Sequence, residues 1–237
     1  ITGWPGGKPN ADDSSRPERA KPDKKRVIIF SPHPDDDVIS MGGTFDRLVE
    51  QGHDVHVVYQ TSGNIAVSDH EALKFAEVLK DLNPDDANAD AIIESINTKT
   101  TAYEDDINVR KLKGIIRRRE SLAATRFVGL LDKNIHFLEL PFYETGTVKK
   151  NPIGQIDIDI VANKIEEIKP HQIYAAGDLA DPHGTHKVCL DAIFAALENL
   201  KHNDYMDDCW VWLYRGAWHE WDIHQIEMAV PMSPDQV

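Results

Sequence analysis

Cysteine is scarce in this chain: Cys189 and Cys209 are the only two among 237 residues. Neither stands in a CxxC or similar pair, which argues against a disulfide framework and against a cysteine-ligated zinc. Both read as buried small hydrophobes in a reducing compartment, and the expected location is cytoplasmic. Long apolar runs are also missing. No stretch approaches the ~20 residues that cross a bilayer, and the N-terminus lacks the apolar core of a signal peptide. Basic charge is in deficit, with 26 Lys plus Arg against 40 Asp plus Glu and a formal net charge of -14. Such a surface repels phosphate backbones and anionic lipid, so neither nucleic acid nor membrane is an expected partner.

What is present suits one sizeable core: 41% of the residues are hydrophobic. Residues 1–25, "ITGWPGGKPNADDSSRPERAKPDKK", are rich in Pro, Gly and charge. They read as a linker or N-terminal arm, with docking through Trp4 as the alternative. The expected domain runs over 26–237. "RVIIF" (26–30) is a continuous apolar run, which suits a strand buried on both faces. "DDVISMGGTFDRLVEQG" (36–52) has helical spacing of Ile39, Phe45, Leu48 and Val49, with Gly52 closing it. Further strands are expected over 54–61, 135–140, 172–177 and 209–215, and helices over 69–82, 109–130, 157–169 and 185–200. The polar stretch 83–106 reads as an insertion or mobile loop.

Strands alternating with helices predict an α/β fold: a Rossmann-like three-layer sandwich with a mostly parallel sheet and helices on both faces. In such sheets ligands gather outside the carboxyl ends of the strands. Three polar clusters fall at strand exits: "SPHPDDD" (31–37), "SGN" (62–64) and "GDLADPHGTHK" (177–187). Asp at a helix start caps free N–H groups, which accounts for one or two of the acidic residues in the first cluster. It leaves unexplained why His33 is held between Pro32 and Pro34 and followed by Asp35, Asp36 and Asp37. Crowded carboxylates repel one another unless a cation relieves them. In the third cluster His183 and His186 stand three apart at the opening of a helix, close enough to face one cavity. His33, one Asp and one of these two His make a mixed N/O set of three. That suits catalytic zinc with an open position, and ferrous iron also accepts two His and one carboxylate. A dinucleotide site is disfavoured, since no GxGxxG follows the first strand.

"SPHPDDDVISMGG" and "DPHGTHK" together resemble the LmbE-like (PIG-L) deacetylases, over about Arg26 to Leu200. "RRRESLAATRFVGL" (117–130) is similar to that family's Arg/Glu-bearing helix. The resemblance implies a Zn2+-dependent hydrolase, with Fe2+ as a possible substitute, that removes the acetyl group from an N-acetylglucosamine-type amino sugar. It further implies His33, Asp36 and His186 as metal ligands, Asp35 as general base and His183 as oxyanion stabiliser. The chain departs from the family in carrying Asp37 where Glu is usual, and "LPFYETG" (140–146) where Pro-Asp-Gly is frequent. It also stops at Val237, where the family usually continues. "ITGWPGGKPN" and the tail resemble bacterial proteins in which a glucosamine-6-phosphate deaminase-like domain precedes an LmbE-like one, implying a fused N-terminal domain.

Substrate contacts are expected from Ser62 and Asn64 at the second strand exit, unless "SGN" is an ordinary turn. Arg117 is a candidate to reach the substrate, against a solvated face paired with Glu120. Tyr143 is a candidate to stack on a sugar ring, against core-edge packing. The partner so expected is a small amino-sugar molecule. The alternative function is a non-catalytic metal-binding or interaction domain of a larger amino-sugar protein.

Overall fold

The computed structural model describes residues 23–100, 104–216, 218–230 and 232. The arm expected over 1–25, with Trp4, falls almost wholly on residues 1–22, outside the described residues. The strands are β1 (Arg26–Ser31), β2 (Asp54–Tyr59), β3 (Ile135–Phe137), β4 (Gln172–Ala176) and β5 (Trp210–Tyr214). The helices are α1 (Asp36–Ile39), α2 (Gly42–Glu50), α3 (Asp69–Leu82), α4 (Ala87–Thr98), α5 (Ile107–Phe127), α6 (Gln155–Ile168) and α7 (Thr185–Leu200). The strands form one five-stranded sheet in the order β3-β2-β1-β4-β5, and every pairing is parallel.

The apolar run of β1 explains its central place. Ile28 and Phe30 face one layer, where Val161 and Ile165 of α6 and Cys189 and Ile193 of α7 cover them. Val27 and Ile29 face the other, with Phe45 and Leu48 of α2 and Val55, Val57 and Tyr59 of β2. A strand covered on both faces has no polar side to show, hence its lack of alternation. The chain leaves β1 toward β2 and β3 on one side, and later fills β4 and β5 on the other. The loops after β1 and β4 therefore part company at the switch point, and a crevice opens between them.

Four expectations are corrected. The stretch 36–52 is two helices, α1 and α2, broken at Ser40 and Met41. The break lets other chain approach closely. A Cβ on Gly216 would lie 2.9 Å from Ser40 Cα, and one on Gly43 would meet the Met232 sulfur. The stretch 83–106 holds a helix, α4, and is not a plain loop. Asp86 caps it by accepting from the Asn88 and Ala89 N–H groups. Ile92 packs with Ala72, Ala76, Val109, Leu112 and Ile116 of α3 and α5, and Ile93 and Ile96 lie against them. β3 is shorter than expected. Leu138 and Leu140 still donate to β2 and its exit, but Glu139 between them turns to φ 47° ahead of Pro141. Cys209 is half-buried, not buried; Cys189 is buried, and both are free thiols. His56 and His136 stack on each other across β2 and β3.

The helices α3, α4 and α5 are joined by charge as well as by apolar packing. Lys113 Nζ lies 2.6 Å from Asp69 and 2.8 Å from Asp105, and Lys99 Nζ lies 2.9 Å and 2.6 Å from the same two carboxylates. Burial alone would raise the Asp69 pKa; the two ammonium groups outweigh it and hold the carboxyl below its ordinary 3.8. A lowered folded pKa contributes stability above the unfolded value that is lost as pH falls through the folded one. Lys113→Ala is expected to cost roughly 1 kcal/mol in urea unfolding at pH 7, because Lys99 alone is then left to pair with two partly exposed carboxylates. The gap between the two proteins should narrow as pH drops below 3.8. A gap unchanged down to full protonation would show that the network contributes packing and not charge.

Candidate metal centre and active-site cavity

The site is built first by the exit of β1. Ser31 Oγ accepts the Asp37 N–H at 3.1 Å and lies 2.5 Å from the His33 carbonyl, which folds "SPHPDD" back on the strand end. Asp37 is fully buried, and Tyr59 donates to its Oδ2 at 2.9 Å. Burial pushes its pKa up to about 6, with Tyr59 and Ser31 pulling the other way. The shorter carboxylate at this position thus reaches inward to β2 and not to the cavity. The peptide N–H of His33 donates to Asp36 Oδ2 at 2.9 Å, and that same oxygen lies 3.2 Å from His33 Nδ1.

The exit of β4 supplies the other half. Asp181 accepts from the His183 N–H at 3.0 Å and the His186 N–H at 3.1 Å, and so sets the start of α7. His186 Nδ1 sits 3.1 Å from the Asp178 carbonyl. A carbonyl only accepts, so Nδ1 carries the hydrogen and Nε2 is the nitrogen left for the cavity. That Nε2 lies 3.2 Å from Asp36 Oδ2, yet it is buried with no hydrogen-bond partner. Burial works against a charged His186, but Asp36 and Asp181 outweigh it and raise its pKa. Burial would likewise raise the pKa of Asp36; the two imidazoles outweigh it and leave the carboxyl well below its usual range.

His33, Asp36 and His186 each offer one ligand atom, and those atoms all lie within 4.8 Å of one another. A divalent cation shared by these atoms would satisfy them together, and the His186 Nε2 that makes no hydrogen bond is the observation that favours one. The donor set fits: two imidazoles and one carboxylate suit zinc with an open position, or ferrous iron.

A cavity of about 530 Å³ opens beside these atoms, with Asp35, Arg117, Lys150, His183 and Trp218 in its wall. Asp35 Oδ2 receives Arg117 Nη2 at 2.7 Å, and Arg117 Nη1 reaches Glu120 at 2.6 Å. Arg117 thus makes the expected pair with Glu120 and also stands in the cavity wall. His183 is exposed on the rim. Tyr143 is buried and meets the His33 ring at 6.0 Å, but Lys150 Nζ covers its face 3.7 Å from the centroid. That face is closed to a sugar. Ser62 and Asn64 do not line the cavity. The Ser62 N–H and the Asn64 side-chain amide both donate to Glu144, and Asn64 is buried.

Sequence reasoning passed over Lys150, Trp218 and Asp178. Lys150 lies in a polar stretch without periodicity. Trp218 follows the last strand in a stretch that carries no motif. Asp178 has no motif; its Oδ2 accepts from the Trp218 N–H at 2.6 Å and the His219 N–H at 3.0 Å. Among the described residues no helix is long and apolar enough to cross a membrane.

The family model described as GlcNAc-PI de-N-acetylase (PIG-L) matches residues 28–197, well over half of the chain. A glucosamine-6-phosphate deaminase-like protein of Bacteroides thetaiotaomicron is 54% identical over 248 residues; the alignment covers 100% of this chain and 37% of that protein. The chain therefore spans little more than a third of that relative's length. Diacetylchitobiose deacetylase of Thermococcus kodakarensis is 33% identical over 70 residues, 30% of this chain and 26% of that one. The solved N,N'-diacetylchitobiose deacetylase of Pyrococcus horikoshii superposes with a TM-score of 0.47 and 18% identity, covering 82% of this chain and 61% of that one. From the match over 28–197, this chain belongs to the PIG-L (LmbE-like) family, whose model is described as GlcNAc-PI de-N-acetylase.

Proposed function

We propose that the chain is a metal-dependent hydrolase that removes the acetyl group from an N-acetylglucosamine-type amino sugar, giving acetate and a free amine. The observation that carries this reading is the meeting of His33, Asp36 and His186 at the switch-point cavity, with Asp35 in its wall. Membership of a family described by de-N-acetylation, and a local match to a diacetylchitobiose deacetylase, support the same chemistry. A purely structural metal site would close the fourth position with another protein ligand. Among the described residues the cluster stops at three.

His33, Asp36 and His186 would hold the ion. Bound there, zinc or ferrous iron polarises a carbonyl oxygen and lowers the pKa of a water from about 15.7 to about 7. Asp35 accepts the proton of the attacking water, and Arg117 orients its carboxylate through the 2.7 Å ion pair. The oxygen attacks the acetamide carbon, and the carbonyl oxygen gains negative charge. His183, on the rim, donates to that oxygen; losing such a donor costs on the order of 10² to 10³ in rate. The proton held by Asp35 or His183 then passes to the nitrogen as the C–N bond breaks. Amide and water are consumed, and one carboxylic acid and one amine are formed. The 1–25 arm is read as the connection from a fused N-terminal domain to this 26–237 catalytic domain.

Amine release across a panel of N-acetyl sugars, with and without chelator, tests the reading. Release that chelator abolishes and added zinc restores is expected; no release from any sugar would end it. Asp35→Asn is expected to keep the wild-type metal content by elemental analysis while turnover drops by roughly 10² or more. Unchanged turnover would remove Asp35 from the base role. His186→Ala is expected to lose the metal, and full occupancy in that variant would remove His186 from the ligand set.

A further inference from the structure

The cavity holds a cation that the proposed chemistry does not use. Its carboxylates are already engaged. Asp35 is paired with Arg117, Asp36 faces two imidazoles, and Asp181 caps α7 through two peptide N–H groups. Lys150 is different. Its Nζ rests 3.7 Å over the Tyr143 ring and 3.3 Å from the Thr147 carbonyl. Among the described residues no carboxylate forms an ion pair with it. Glu144 acts on it from a distance, but Glu144 is occupied by Ser62 and Asn64. Burial pushes the Lys150 pKa down to about 8, against the pull of Glu144.

A half-buried ammonium with only a ring face and one carbonyl for company lacks the solvation it had in water. An anion placed beside it restores what burial removed, and a neutral hydroxyl restores far less. The position is also suitable. Nζ stands one ring contact from Tyr143, and Tyr143 stands one ring contact from the candidate ligand His33. Lys150, Tyr143 and the candidate ligand His33 all line the same cavity of about 530 Å³. A group at one end of the ring can lie at Lys150 while the acetamide at the other lies at the ligand atoms.

We propose that Lys150 selects amino sugars bearing an anionic substituent, a phosphate ester or a carboxylate, on the side of the ring remote from the acetamide. The proposal rests on the de-N-acetylase reading of the cavity, but its test does not need turnover. Calorimetric binding to the zinc-loaded chain compares three amines that cannot be deacetylated: glucosamine, glucosamine 6-phosphate and the corresponding 2-amino-uronic acid. At least one anionic sugar is expected to bind tenfold or more tightly than glucosamine, and the pair shows whether phosphate or carboxylate is preferred. Lys150→Met should erase that advantage while leaving the affinity for glucosamine within twofold; Lys150→Arg should retain it. Equal affinity for all three sugars, or an advantage that survives in Lys150→Met, would overturn the proposal. Failure of amine release with the anionic preference intact would count against the reaction and not against Lys150.

Discussion

One oxygen atom organises this site. Asp36 Oδ2 accepts the peptide N–H of His33 and stands 3.2 Å from a nitrogen of each imidazole, one from the exit of β1 and one from the start of α7. That convergence demands that β1 and β4 be neighbours in the sheet although 145 residues part Arg26 from His171 in the chain. Parallel pairing at the switch point meets the demand, because both strand exits then point to the same edge. The buried Asp37, bonded to Ser31 and Tyr59, keeps the first exit rigid from below. Such rigidity matters in a site of this kind, where small displacements of a ligand atom weaken the ion it holds.

Electrostatics in the cavity are arranged in pairs. Asp35 has Arg117, Asp36 has two imidazoles, and Asp181 has peptide N–H groups. A chain with a net charge of -14 thus pairs its acidic residues along this cavity. Each pairing costs desolvation, and the Nε2 of His186 is left buried without a hydrogen-bond partner.

Much of this was legible in the residues themselves. The unbroken run "RVIIF" announced a strand with two covered faces, and α7 begins and ends where its apolar spacing said it would. His33, one Asp of the first cluster and one His of the third were readable from their strand exits, while the choice of Asp36 and His186 came from the family resemblance. The failures share a physical cause: contacts distant in sequence. The apolar stripe of α4 hides among Asp and Asn, and it has meaning only against α3 and α5. Nothing near Ser40 warns that Gly216 needs the helix to break there. Asn64 looked free to meet a sugar until Glu144, 80 residues on, took its amide. Lys150 and Trp218 reach the cavity on loops whose course no periodicity encodes.

Asp178 joins two parts of the molecule that sequence keeps 40 residues apart. Its carbonyl fixes which nitrogen of His186 carries the hydrogen, and its carboxylate grips the peptide at Trp218 and His219. One residue thus holds both the segment after β5 and the imidazole of His186, so a substitution that displaces Asp178 disturbs the Trp218 peptide and the ring orientation together.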